Sequence, residues 1–285
     1  MAIRSPGRQP VAGPVLWSGG VAVTAAVLVT GARQLLRRQA ATARRVIGKP
    51  LGEQTPDADR TWKRSYGDPV ELLLLGDSIA AGLGASHRKR TLGGQLARRL
   101  ARRTRRAVRL RTVAQVGAES SMLRSQLAEL PAGYRADVAV VVVGGNDVTH
   151  RVRPASSAAH LADAVRALRA DGAEVVVGTC PDLGALTAVP QPLRALGGVA
   201  SRQLAAAQRE AVLAEGAYAV SLAHVVGPFF VAQPDRMFAE DRFHPSDDGY
   251  QRTAKALLPS VLAALGHEQR LPFGHHRADG TAAAR

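Results

Sequence analysis

Two short apolar runs constrain this chain most. They are Val70 to Leu75, interrupted only by Glu71, and Val138 to Val143, which has no polar residue at all. Runs of this length are too short for typical helices and lack the alternation of a half-exposed strand. They read as strands buried on both faces, as in a sheet covered by helices on each side. Between and after them the pattern alternates. Leu92 to Arg103 is helical, with Leu92, Leu96 and Leu100 on one face, and Val108 to Val116 reads as a strand. Ser120 to Leu130 and Ala155 to Ala170 read as helices, and Glu174 to Thr179 as a strand. Leu193 to Glu215 is a long helix, Tyr218 to Leu222 a last strand, and Ser246 to Leu265 a closing helix. Strand and helix in alternation predict an α/β domain with a parallel sheet of about five strands. In such sheets ligands bind beyond the carboxyl ends of the strands.

The flanks read differently. Val11 to Ala32 carries no charge, close to the ~20 residues of a spanning helix. It predicts an N-terminal transmembrane helix. A cleaved signal peptide is the rival, with Ala41-Thr42-Ala43 as its cleavage site, but Arg33, Arg37 and Arg38 would intervene. The expected organisation is a tail and membrane anchor over 1–32, a basic juxtamembrane segment and linker over 33–68, the α/β domain over 69–266 and a flexible tail over 267–285. Arg33, Arg37, Arg38, Arg44, Arg45 and Lys49 outnumber Arg4 and Arg8, so the positive-inside rule puts the domain in the cytoplasm.

The formal net charge is +15 over 285 residues. Part of it lies in a run from Arg88 to Arg111, within a stretch that has no acidic residue between Asp77 and Glu119. No zinc-finger spacing or RNA-binding aromatic motif accompanies it, so nucleic acid is not expected as a partner. A solvated helix face is the plainer reading, with affinity for anionic lipid headgroups second. Cys180, the single cysteine, excludes an intramolecular disulfide and reads as a small buried core residue. His267, His275 and His276 lie in the tail, where two adjacent histidines are a weak metal signal and an ordinary surface pair is the plainer reading.

Four polar blocks follow the strands or precede the last helix. Gly76-Asp77-Ser78 comes directly after the first apolar run and would present the Ser78 hydroxyl at a strand end. The same residues would also make a plain strand-to-helix turn with Asp77 or Ser78 as N-cap. Asp241-Arg242-Phe243-His244-Pro245 puts a carboxylate and an imidazole on one loop. An imidazole there can accept a hydroxyl proton and return it to a leaving group, while the carboxylate fixes its tautomer. A capped helix start or a pair of metal ligands are the other readings, although no third ligand stands at metal spacing. Gly144-Gly145-Asn146-Asp147 offers a side-chain amide to a developing oxyanion, typically worth ~2.7–4 kcal/mol, or forms a Gly-Asn turn. Gly117 follows the strand ending at Val116 and offers a backbone N–H.

In combination these blocks resemble the SGNH hydrolase superfamily, the GDSL-like esterases and lipases, over Val70 to Leu265. Ile79 stands where the eponymous motif has leucine. The resemblance implies a three-layer α/β/α flavodoxin-like domain and an esterase with Ser78 as nucleophile, His244 as base and Asp241 orienting it. It also implies an oxyanion hole of the Ser78 and Gly117 N–H groups and the Asn146 amide, with no metal or cofactor. The expected substrate is a lipid, carbohydrate or small-molecule ester. The alternatives are a carbohydrate acetylesterase or acyltransferase with the same triad, or an inactive membrane-tethered binding module. The loops Asp182 to Pro192 and Val226 to Asp235 would select the substrate. His87 and His150 lie near the site in sequence, and His160 and His224 read as structural. Many enzymes of this chemistry act outside the cell, which opposes the positive-inside reading.

Overall fold

The computed structural model describes residues 17–48 and 50–278, with side chains from residue 28 onward. Among them the strands are β1 (Arg60–Trp62), β2 (Pro69–Gly76), β3 (Ala107–Thr112), β4 (Val138–Val142), β5 (Glu174–Gly178), β6 (Tyr218–Val220) and β7 (His275–Arg277). The helices are α1 (Trp17–Ile47), α2 (Ser78–Ala81), α3 (Leu92–Thr104), α4 (Leu123–Ala128), α5 (Gly145–Thr149) and α6 (Pro154–Ala170). They continue with α7 (Leu193–Ala214), α8 (Leu222–Val225), α9 (Gly227–Ala232), α10 (Pro234–Met237) and α11 (Asp247–Ala264).

The strands form one sheet in the order β1-β3-β2-β4-β5-β6-β7. The five inner strands are parallel, as expected. The sheet as a whole is mixed, because β1 and β7 add antiparallel edges. These edges lie in segments expected to be linker and flexible tail. Each edge strand has only three residues, too few for a visible period.

The apolar runs are explained by the two layers they serve. Leu72 and Leu74 of β2, with Val138, Val140 and Val142 of β4, face α3 and α11 through Leu92, Leu96, Leu100, Leu257 and Val261. Leu73, Leu75, Ala139, Val141 and Val143 face the other way, onto Leu123, Leu161, Val165, Leu168 and Val212 of α4, α6 and α7. Successive residues of a strand point to opposite faces, so burial on both sides requires every position to be apolar. Glu71 escapes because it sits near the start of β2, where it pairs with Arg109 at 2.6 Å.

Among the described residues no helix is long and apolar enough to cross a membrane. The transmembrane helix expected over Val11 to Ala32 therefore does not appear as a span. From Trp17, where the described residues begin, helix α1 runs uncharged to Ala32 and continues through Arg33, Arg37, Arg38, Arg44 and Arg45 to Ile47. Residues 11–16 lie outside the described ones, as do Arg4, Arg8 and Lys49. The later part of α1 rests on the domain, where Leu193 N–H donates to Gln39 Oε1 at 3.1 Å. In the basic run, Arg102, Arg103, Arg105, Arg106 and Arg109 are exposed, while Arg98 and Arg99 are half-buried.

Candidate active site

The four polar blocks meet at the carboxyl end of the sheet. Strand β2 ends at Gly76, whose φ of +126 is one that L side chains rarely adopt. A Cβ there would lie 1.9 Å from the Val142 carbonyl oxygen, so only glycine lets β2 and β4 approach this closely. Asp77 then caps the short helix α2, its Oδ1 accepting from Ile79 N–H at 2.9 Å. This turn leaves Ser78 as the first residue of α2, 6% exposed.

The loop before α11 brings the imidazole to it. Ser78 Oγ and His244 Nε2 are 2.9 Å apart, and His244 Nδ1 and Asp241 Oδ2 are 2.5 Å apart. A carboxylate only accepts, so Nδ1–H donates to Asp241 and Nε2 is left to accept from the Ser78 hydroxyl. Asp241 Oδ1 takes the backbone N–H groups of Phe243 at 2.9 Å and His244 at 3.0 Å. Arg242 stands between them at φ +55, and Ala239 N–H closes the loop onto the His244 carbonyl at 2.8 Å. Burial alone would push the Asp241 carboxyl up. The hydrogen bonds from His244 and Phe243 outweigh it and hold this carboxyl below its ordinary value.

Asn146 lies in α5, just beyond β4, and its Nδ2 donates to the Ala118 carbonyl at 2.9 Å. Gly117 occupies the turn after β3 at φ +83, with nothing within 4 Å of where a Cβ would be. Helix α5 and this turn are fastened twice more. Asp147 accepts from Ser120 N–H at 3.1 and 3.3 Å, and His150 Nδ1 meets Glu119 Oε1 at 2.6 Å. An apolar cavity of about 80 Å³ opens beside Ser78, His244 and Asn146. Its walls include Leu183, Leu186, Leu222, Val226, Phe230 and Phe243, so both loops expected to select the substrate contribute.

Other residues fall elsewhere. His87 is exposed and accepts from Lys89 N–H, and His150 is occupied by Glu119. His160 and His224, expected to be structural, are exposed. Cys180 is fully buried and free, as expected. His275 and His276 belong to β7, and no cluster that could hold a metal ion occurs among the described residues.

Two buried glutamines were not foreseen. Gln126 Nε2 donates to the Gly76 carbonyl at 2.8 Å and its Oε1 accepts from Gly76 N–H at 2.9 Å, acting as one more peptide unit beside β2. Gln208 links Cys180 N–H at 2.7 Å with the Val143 carbonyl at 3.0 Å. Their signal in the sequence is a polar residue on a helix's apolar face, as in Leu204-Gln208-Val212.

A sheet sandwiched by helices, with a serine and an imidazole in contact at its carboxyl edge, is the architecture of an SGNH hydrolase. The chain belongs to the GDSL-like lipase/acylhydrolase family, whose family model matches residues 74–252. It is similar to a GDSL-like esterase of Mycobacterium tuberculosis, 40% identical over 269 residues, covering 90% of this chain and 85% of that protein. The fold is also similar to that of a lipase/acylhydrolase from Enterococcus faecalis, at 18% identity and a TM-score of 0.57, over 70% of this chain and 100% of that one. The psychrotrophic esterase EstA from Pseudoalteromonas sp. matches at 16% identity and a TM-score of 0.54, over 69% and 98% of the two chains. The protein is an ester-hydrolysing enzyme.

Proposed function

We propose that the enzyme cleaves carboxylic esters through Ser78, His244 and Asp241. Ser78 Oγ attacks the carbonyl carbon while His244 Nε2 takes its proton, and Asp241 holds the imidazole in the required tautomer and stabilises the imidazolium. The oxyanion receives the N–H groups of Ser78 and Gly117 and the Asn146 amide. His244 then gives its proton to the departing alkoxide as the C–O bond breaks, leaving Ser78 acylated. Water repeats the sequence and frees the acid.

The observation that carries this reading is the unbroken hydrogen-bonded chain, 2.9 Å from Ser78 to His244 and 2.5 Å from His244 to Asp241. The cavity beside it favours an ester with an apolar acyl group over a hydroxyl-rich sugar, because its walls offer few partners for hydroxyls. A fluorophosphonate probe tests the assignment. Wild type should take the label and Ser78→Ala should not, with kcat falling about 10⁴-fold or more. Equal labelling of the two would remove Ser78 from the role, and an unlabelled, inactive wild type would favour a binding module.

A further inference from the structure

Asp77 does more than cap a helix. A surface N-cap is served equally well by Ser, Thr or Asn. Asp77 is only 2% exposed, and no salt bridge to it is found among the described residues. Keeping a carboxylate there is unfavourable, and burial first of all pushes its pKa up to about 6, with Asp147 adding repulsion. The groups that oppose this are the backbone N–H of Ile79, the His244 ring and the backbone N–H of Gly145. Ile79 and Gly145 belong to different elements. Ile79 is the second residue of α2, next to Ser78, and Gly145 is the first of α5, next to Asn146. Asp77 Oδ1 accepts from Ile79 N–H at 2.9 Å and its Oδ2 lies 3.9 Å from where a Cβ on Gly145 would be, so one carboxylate lies against the starts of both helices whose residues serve as nucleophile and oxyanion donor in the reading above.

We propose that Asp77 is a positioning residue for the oxyanion hole, its carboxylate tying the Ser78 turn to the helix that carries Asn146. The assignment rests on the roles given to Ser78 and Asn146. An oxyanion donor acts only when it is held where charge develops, so a shift of α5 away from α2 reduces kcat more than substrate binding. The tie also extends outward. Asn146 reaches the Ala118 carbonyl and Asp147 takes Ser120 N–H, so the Gly117 turn moves with α5.

Asp77→Asn separates the two duties. Its Oδ1 still caps Ile79, but an amide N–H replaces the oxygen that lies against Gly145, so the acceptor at the start of α5 is lost. Asp77→Ser caps α2 yet is too short to reach α5. With p-nitrophenyl butyrate, both variants should lower kcat about tenfold or more and leave KM within about twofold. The melting temperature of Asp77→Asn at pH 8 should not fall, since a buried charge is removed. The decisive measurement is the cycle with Asn146→Ala. Once that amide is gone only the Ser78 and Gly117 N–H groups are left to position, so Asp77→Asn should cost clearly less there than in wild type. Full additivity in the cycle, a loss confined to KM, or wild-type kcat in Asp77→Ser would overturn the inference while leaving the site assignment intact. Wild-type kcat in Asn146→Ala would overturn the oxyanion assignment and this inference with it.

Discussion

The cavity beside Ser78 sets a limit on the acyl chain. Its volume is about 80 Å³, roughly half of a ~150 Å³ cavity that admits benzene. By that proportion it takes about three carbons beyond the carbonyl, a butyryl group. Each methylene transferred from water into it contributes about 0.8 kcal/mol, or about fourfold in kcat/KM. A p-nitrophenyl ester series should therefore gain about fourfold per carbon from acetyl to butyryl and decline beyond about six carbons, where further chain must overpack the walls. Phe230 and Leu186, both nearly buried, close the space. Phe230 packs edge-on against Phe238 at 4.8 Å between ring centres. Phe230→Val removes about four carbons of wall, less disruptive than the 3–5 kcal/mol typical of Phe→Ala. It should move the optimum outward by about two to four methylenes, and Leu186→Ala should shift it in the same direction. A wild-type optimum at decanoyl or longer would refute the volume argument. An optimum unmoved in both variants would show that the acyl chain lies elsewhere.

Two further outcomes follow from the hydrogen bonds. Asp241→Asn keeps the shape of the loop but lets His244 adopt the wrong tautomer, so kcat should fall about 10²–10⁴-fold with KM little changed; kinetics at pH 8 check this. The imidazoles of His275 and His276 are held below their ordinary pKa, first by burial, then by His276 for the one and by Arg209 and His224 for the other. Their neutral forms pair with Ser260 Oγ at 2.8 Å and Ser221 Oγ at 3.3 Å. The folded state binds these protons less readily than the unfolded one, so the stability they contribute is complete above about pH 6.5 and lost as pH falls below it. The melting temperature should drop more between pH 7.5 and pH 5.5 in wild type than in His275→Gln/His276→Gln, and parallel curves would refute it.

What the sequence revealed and what it hid have a common physical basis. Strands β2 and β4 were legible because burial on both faces leaves a continuous apolar run, a signal that requires no knowledge of partners. Strands β1 and β7 were not, because Arg60, His275 and Arg277 at a sheet edge are free to be polar. The alternation from Val108 to Val116 outran its strand. Beyond Thr112 the chain still bonds to β2 through Val113 and Gln115, but it is already turning toward Gly117. The expected helix from Ser120 begins instead as a tight turn, with Asp147 holding Ser120 N–H and Ser157 its hydroxyl.

The site residues were visible for a related reason. A reacting group at the end of a buried strand has little freedom in its neighbours, so the glycines and the Asp-x-x-His spacing stand out against the apolar background. Cavity walls leave no such mark. Leu186, Phe230 and Phe243 come from three separate segments and look like any core residues until the fold brings them together. Asp77 shows the same limit from the opposite side. In the sequence it is an ordinary cap, and the letter does not change between a cap in water and one buried against two helices. Only the burial distinguishes them, and burial gives the reason to look for a second duty. A carboxylate buried without a salt-bridge partner carries a desolvation cost that Ser or Asn at the same position would avoid, so its presence at the junction of α2 and α5 points to a gain made during turnover rather than in the resting fold.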